Sequence, residues 1–553
     1  MNKSSTASVK FGIQGPVVAW QDPWASEASD LVMRTGTGAI HISQDETPSP
    51  VSFISVLQDM GADFYVHHML PGMEGFQDML RDMERYGMNF CIGNEYGNIN
   101  GPWVEGTNRW DVPDVAITEA IESGRCMGLL YDEPEHLQIN AAQYRKDGWY
   151  PHWGGTDGLS LQEANDVVVN TVTERNVHVK ALVEKNGRTG IDVPLIAEHV
   201  FPVMFHVHAR AGMAVCPKIM KESFQALQLS TALGAAKQYG RPLWICADLW
   251  GPDIGHWFTR LSGFPGHSPE EFASALRMAY LMAPTHLFTE NVDALLRYKD
   301  NRFERTEFGE VWLQFIHDYV PGQPLHWSHT DINPDIVLIH ADDSNYGQNA
   351  RLFGNRTDAV EETTNSVFEA WNLLSHGTIP SHGSCMHIPG YDFPRHKLKQ
   401  RVALDRYPLP FGCPDLPQTA THTLFNPLNN VIVYDDQVRY EQLGQPKLIL
   451  AAGSRLSEET LAAIRRRAEE GSVVLVAAWL VPKAWKESRR YPNGGAWVVI
   501  NDFLSDTARE TVAPYLGGHD SWRLRFGDHE IRFYKGDATG QILKTEVFSG
   551  TKL

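Results

Sequence analysis

Eight times between Phe11 and Asn291 a short apolar run is followed by a stretch of helical periodicity, and that alternation leaves few folds open. The runs lie near Phe11–Trp20 and at 62–69 (ADFYVHHM), 89–95 (NFCIGNE), 126–133 (CMGLLYDE), 194–200 (PLIAEHV), 213–219 (MAVCPKI), 242–250 (PLWICADLW) and 285–291 (THLFTEN). A strand followed by a helix returns the chain to pair in parallel with the strand before, because the crossover covers one face of the sheet. Eight such units in about 330 residues fit a closed (β/α)8 barrel, a TIM barrel, with some insertions. An open doubly wound sheet uses the same alternation, but no G-x-G-x-x-G marks a first βα turn.

Helix starts are legible between the runs. Ser160-Leu-Gln-Glu163 and Ser268-Pro-Glu-Glu271 both fit a capping box, and Pro269 sits where a missing N–H costs nothing. After the second, Phe272, Leu276 and Ala279 recur at helical spacing.

The period restarts at DIVLIHADDSN (335–345), with a helix near 366–375 and strands at NVIVYDD (430–436), KLILAAG (447–453) and SVVLVAA (472–478). Ser457 and two glutamates open a helix whose apolar face is Leu461, Ile464 and Ala468 and which Gly471 ends. Residues 376–429, rich in proline, glycine and histidine, form a long irregular insertion. WVVINDF and WRLRFGDHEIRFY read as closing strands. The expected architecture is a catalytic barrel over 1–330, a flavodoxin-like α/β domain over 331–500 and C-terminal β strands over 501–553. A chain of 553 residues calls for such a division, since single cores stop growing at roughly 250–300 residues.

With 42% hydrophobic and 21% charged residues the chain has an ordinary globular balance, and no window approaches the apolar length of a membrane span. A net charge of −19 disfavours nucleic acid and anionic membranes as partners and is indifferent to a neutral sugar. The amino terminus lacks the apolar run of a secretory signal, so the cytoplasm is the expected location. Cys91, Cys126, Cys216, Cys246, Cys385 and Cys413 lie far apart without a CxxC pair and read as buried free thiols.

Polar residues that close barrel strands face the end where barrel enzymes place their sites. Here the closing segments are Gly93-Asn94-Glu95, Tyr131-Asp132-Glu133-Pro134-Glu135-His136, Glu198-His199, Asp248-Leu249-Trp250-Gly251 and Glu290-Asn291. Converging acids repel one another unless protonated, paired or bound to cations. Glycoside hydrolysis uses that split, with one carboxyl kept protonated for the leaving oxygen and another ionised to attack carbon or activate water.

Glu133 is the first choice for acid/base, with Pro134 fixing the turn behind it. Asp132 would face the other way on an extended strand, and takes the role if the strand ends one residue earlier. Asp248 is favoured over Glu290 as the partner. Trp250 and Trp257 are candidate sugar platforms and His256 a hydroxyl ligand, with His136 and Asn291 beside the acids. Two aromatic loops follow the third and fourth strands, Trp103 to Trp110 and the segment with Trp149, Tyr150, His152 and Trp153, and would stack on sugar rings.

The alternative chemistry is a metal-dependent barrel hydrolase or sugar isomerase. It draws on His67, His68, Glu95, Asp132, Glu198, His199, His206, His208 and Asp248. No HExxH occurs and the 23 histidines are scattered, so no metal or other cofactor is expected. A barrel that binds sugar without turnover is a third reading.

Asn94-Glu95 resembles the Asn-Glu pair of many barrel glycosidases, although here it lies on the third strand; both are kept as substrate-binding residues. The layout as a whole resembles family 42 glycoside hydrolases, which are β-galactosidases. Its most similar part is KLILAAGSRLSEETLAAIRRRAEEGSVVLVAA (447–478), matching the strand, helix, glycine and strand of that family's glutamine-amidotransferase-like domain. The turn Gly453-Ser454 has no cysteine where a working amidotransferase would carry one. The resemblance implies a carbohydrate substrate and a homo-oligomer, a trimer in that family. Asp248 stands where the family's nucleophile would be a glutamate.

Overall fold

A computed structural model describes residues 8–16, 20, 22–24, 47–69, 73–93, 112–135, 159–188, 192–220, 225–249, 267–342, 361–379, 381 and 423–550. Eight parallel strands close into a barrel in sequence order: β1 (Lys10–Gln14), β2 (Phe64–His68), β3 (Asn89–Gly93), β4 (Cys126–Asp132), β5 (Leu195–His199), β6 (Ala214–Ile219), β7 (Trp244–Asp248) and β8 (His286–Glu290). β1 pairs with both β2 and β8, so the sheet has no edge. A helix follows each strand: α1 (Pro50–Asp59), α2 (Phe76–Tyr86), α3 (Asp114–Glu122), α4 (Leu161–Lys185), α5 (Phe205–Arg210), α6 (Gln225–Tyr239), α7 (Pro269–Leu281) and α8 (Glu307–Gln314). The antiparallel hairpin of β9 (Leu296–Lys299) and β10 (Arg302–Arg305) precedes α8.

The caps explain where helices begin. Ser160 and Glu163 form the reciprocal box, each side chain bonding the other's backbone N–H. At α7 only half of the expected box forms: Ser268 accepts from the Glu271 N–H, while the Glu271 carboxylate lies 3.0 Å from His267 Nδ1. Phe272, Leu276 and Ala279 are buried, as their spacing predicts.

Side chains alternate across each strand, and the inward set packs as its own cluster of Phe64, Val66, Cys91, Leu130, Ile196, Ala214, Cys216, Trp244, Cys246 and Phe288. The outward set joins the helices in the main core. Two residues beyond the last inward apolar side chain, six of the eight strands carry a polar or charged residue: His68, Asp132, Glu198, Lys218, Asp248 and Glu290. The barrel interior thus changes from apolar to charged at the carboxyl ends of its strands.

The second sheet has the order β12-β11-β13-β14-β16-β15: β11 (Ile336–Ile339), β12 (Val431–Tyr434), β13 (Leu448–Ala451), β14 (Val473–Ala477), β15 (Arg489–Arg490) and β16 (Ala496–Ile500). All pairs are parallel except β15 with β16. WVVINDF therefore belongs to this sheet and not to the closing strands. Helices α9 (Glu361–Leu374) and α10 (Glu458–Glu470) accompany it, α10 capped by Ser457 and ended by Gly471. A three-stranded antiparallel sheet follows, β17 (Ser521–Phe526), β18 (His529–Lys535) and β19 (Leu543–Ser549). No helix among the described residues is long and apolar enough to cross a membrane.

The second sheet is anchored on the barrel. Asp342, after β11, accepts from the backbone N–H groups of His206 (2.9 Å) and Val207 (3.1 Å) in α5, and Asp435 takes Tyr239 Oη (2.6 Å) at the end of α6. Cys91, Cys126, Cys216 and Cys246 are buried free thiols, as expected; Cys385 and Cys413 lie outside the described residues.

Candidate active site

The charged layer at the barrel mouth converges on Lys218, which is 1% exposed. Its Nζ donates to Asp132 Oδ1 at 2.8 Å and Glu290 Oε2 at 2.9 Å. Glu133 Oε1 lies 3.6 Å away, Asp248 Oδ2 3.8 Å and Glu198 Oε1 3.9 Å. Register explains the convergence, since Asp132 is level with Glu198 across β4 and β5, and Asp248 with Glu290 across β7 and β8.

Two neighbouring acids on one strand should face opposite ways, yet Asp132 and Glu133 both reach the lysine. β4 ends at Asp132, which points inward, and Glu133 leaves the strand at φ 46°. That left-handed turn, uncommon for a side chain other than glycine or asparagine, swings Glu133 round to the mouth. At 7% exposed it is the most accessible of the five acids.

The charges act on one another. Burial pushes Glu198 up and Lys218 pulls it down, but Asp132 and Asp248 add to the burial and its carboxyl stands at about 8. Burial alone would lower Lys218; the surrounding Asp132, Glu198, Glu290 and Asp248 hold it well above the ordinary lysine range. Glu135, fully buried behind Glu133, is also pushed well up, chiefly by burial, while its Oε1 accepts from the N–H groups of Val200 (2.6 Å) and Phe201 (3.0 Å). Burial first, then the neighbouring acids, keeps the Cys246 thiol well above its usual range.

Among the described residues one set of metal-type donor atoms converges, Glu198, Cys246 and Glu290, within 4.8 Å of one another. The Lys218 ammonium already on Glu290 puts a positive charge beside this set and makes it a poor fit to a divalent cation. The histidines of the metal reading are not part of that set. His199 Nε2 is 2.7 Å from His208 Nδ1, His206 faces Asp342 and Val433, and His67 lies 3.6 Å from Asp22. His206 and His208 sit on helix α5 and not on a strand.

Of the residues singled out in the sequence, Asp132, Glu133, Asp248 and Glu290 are brought to one ammonium. Asn291 is fully buried next to Glu290 and caps a short helix without a side-chain bond. Asn94, Glu95, Trp103, His136, Trp250 and His256 lie outside the described residues, as do Trp110, Trp257 and the aromatic segment from Trp149 to Trp153. Lys218 itself was not singled out. Its signal was present in MAVCPKI, where Ala214, Cys216 and Lys218 share the inward face at a spacing of two.

No protein-family model matches this chain, and no curated protein does. Among solved structures it is similar to a β-galactosidase from the psychrophilic Marinomonas ef1, with a TM-score of 0.52 and 8% identity over 95% of each chain. An exo-β-1,4-mannosidase, Op5Man5 from Opitutaceae bacterium strain TAV5, is a weaker likeness, with a TM-score of 0.41, 10% identity, and coverage of 88% of this chain and 81% of that one. At such identity the first likeness is one of fold. The chain has a TIM barrel followed by further sheets, and shares that fold with this β-galactosidase along 95% of its length.

Proposed function

We propose that the protein is a glycoside hydrolase that cleaves its substrate with two carboxyl groups at the mouth of the barrel. The observation that carries this reading is the ring of five acids around one buried ammonium at the carboxyl ends of β4 to β8. Such a ring can hold some acids ionised and others protonated at one pH, as the reaction requires. Glu133 is proposed as acid/base because it is the most accessible acid and makes no hydrogen bond to the lysine at 3.6 Å. Glu290 is proposed as the ionised partner, ahead of Asp248, because the lysine bonds it directly. Asp132 shares that lysine across the site.

The barrel is read as the catalytic domain and the six-stranded sheet as an amidotransferase-like domain without chemistry of its own. A homo-oligomer is the assembly proposed from the family 42 resemblance.

The test is a panel of aryl glycosides with wild-type protein and the single variants E133Q, E290Q and D248N. Removing the acid/base or its partner should lower turnover by about 10²–10⁴-fold. Unchanged turnover in all three would overturn the reading. Activity lost to a chelator and restored by a divalent metal would favour the metal-dependent alternative instead.

A further inference from the structure

Lys218 faces five acids from four strands. Asp132 and Glu133 face it from the end of β4, Glu198 from β5, Asp248 from β7 and Glu290 from β8. The thiols of Cys216, on its own strand, and Cys246, on β7, lie in the layer beneath. Two like charges about 4 Å apart repel by roughly 4 kcal/mol even at an effective dielectric constant near 20, and the Glu198 and Glu290 carboxylates approach within 4.8 Å, so ionising every acid here is costly. Lys218, the one described cation within 4 Å of all five, bears on which of them ionise.

The distances fall into two groups. Asp132 and Glu290 receive charge-assisted hydrogen bonds at 2.8 and 2.9 Å, whereas Glu133, Asp248 and Glu198 stand 3.6 to 3.9 Å away. The ammonium is held at the centre by its strand, because Lys218 occupies the inward position above Cys216 and pairs in register with Cys246.

We propose that Lys218 is a positioning residue that selects the charge state of the site: its tethered ammonium holds Asp132 and Glu290 as carboxylates and leaves a proton of the cluster on Glu198, which it does not bond and whose two buried oxygens accept no hydrogen bond. A substituted lysine should then alter where protons reside before it alters substrate binding. The catalytic consequence rests on the glycosidase reading; the electrostatic one does not. Glu198, already pushed up to about 8, is the acid whose state follows most directly.

The experiment compares wild-type, K218M and K218R full-length protein by thermal melting across pH 5 to 8 and, on an active glycoside, by the pH profile of kcat/KM. In K218M the acids lose this counter-charge, so the folded state takes up more protons than in wild type and melting should fall more steeply with rising pH. The acid limb of the rate profile should move up by about 1–3 pH units, the usual effect of losing an opposite charge at this range. K218R, which keeps the charge, should restore the wild-type slope. K218M with the wild-type slope and acid limb would overturn the proposal, as would K218R behaving like K218M. If K218M does not fold at neutral pH, K218M/E290Q takes its place, and a wild-type melting slope in that variant would overturn the proposal too. Melting is read without turnover, so an inactive protein on every glycoside would defeat the glycosidase reading and still leave this test decisive.

Discussion

Gly234 on α6 lies against the backbone of Val433 on β12 so closely that a β-carbon at Gly234 would stand 1.6 Å from the Val433 carbonyl oxygen. The contact joins a barrel helix to a strand of the second sheet, and no side chain fits between them. Since the obstacle is backbone, G234A must push helix and strand apart. The expected cost is about 1–3 kcal/mol, the range for overpacked cores. Calorimetry should show a lower melting temperature.

The same seam contains a buried ion pair, His206 Nδ1 with Asp342 Oδ1 at 3.9 Å. Burial pushes His206 down, but Asp342 more than offsets it and the imidazole titrates above its ordinary 6.5. Burial raises Asp342, but His206 and the backbone N–H of Val207 hold it below its ordinary 3.8. The histidine's contribution is complete below 6.5 and is lost as pH rises through its raised value. That of the aspartate is complete above 3.8 and is lost as pH falls through its lowered value. The seam should therefore be strongest between these two ordinary values. Melting curves of H206Q should lack the loss on the alkaline side that wild type shows.

Glu198 gives a prediction of the opposite sign. Its carboxyl is raised from 4.5 to about 8, so between those values the unfolded chain ionises while the folded one keeps its proton. Stability must fall as pH rises through that window. E198Q, a neutral isostere, should melt above wild type at pH 8 and match it below 4.5. A difference that does not depend on pH would show that the group is not protonated in the fold.

Leaving-group chemistry separates the two proposed catalytic acids. A dinitrophenolate departs without protonation, so E133Q should retain most of its kcat/KM on dinitrophenyl glycosides while losing about 10²–10⁴-fold on unactivated ones. E290Q should be impaired on both, because attack on the anomeric carbon or activation of water is needed whatever leaves. Equal losses for both variants on both substrates would remove the division of roles.

A helix cap has a local cost that is measured separately from the site. The Ser457 side chain accepts from the Thr460 N–H at 3.0 Å. S457A should cost about 1 kcal/mol, read from denaturant unfolding, without changing turnover.

Apolar runs such as PLIAEHV and capping serines such as Ser160 and Ser457 disclosed the barrel and the second sheet because strand alternation and helix capping act over a few residues. Their physics is written in adjacent positions. The acids at strand ends were legible for the same reason, and Asp132, Glu133, Asp248 and Glu290 all reach the mouth. What they meet there was not legible. That Glu133 turns inward beside Asp132 depends on one left-handed residue, and that Lys218 gathers acids from four other strands depends on closure of the barrel and the register of its pairs. Gly234 became a contact only when β12, almost two hundred residues later, was laid against α6. Short-range periodicity determined the elements; the pairing of distant strands decided which side chains share a charge.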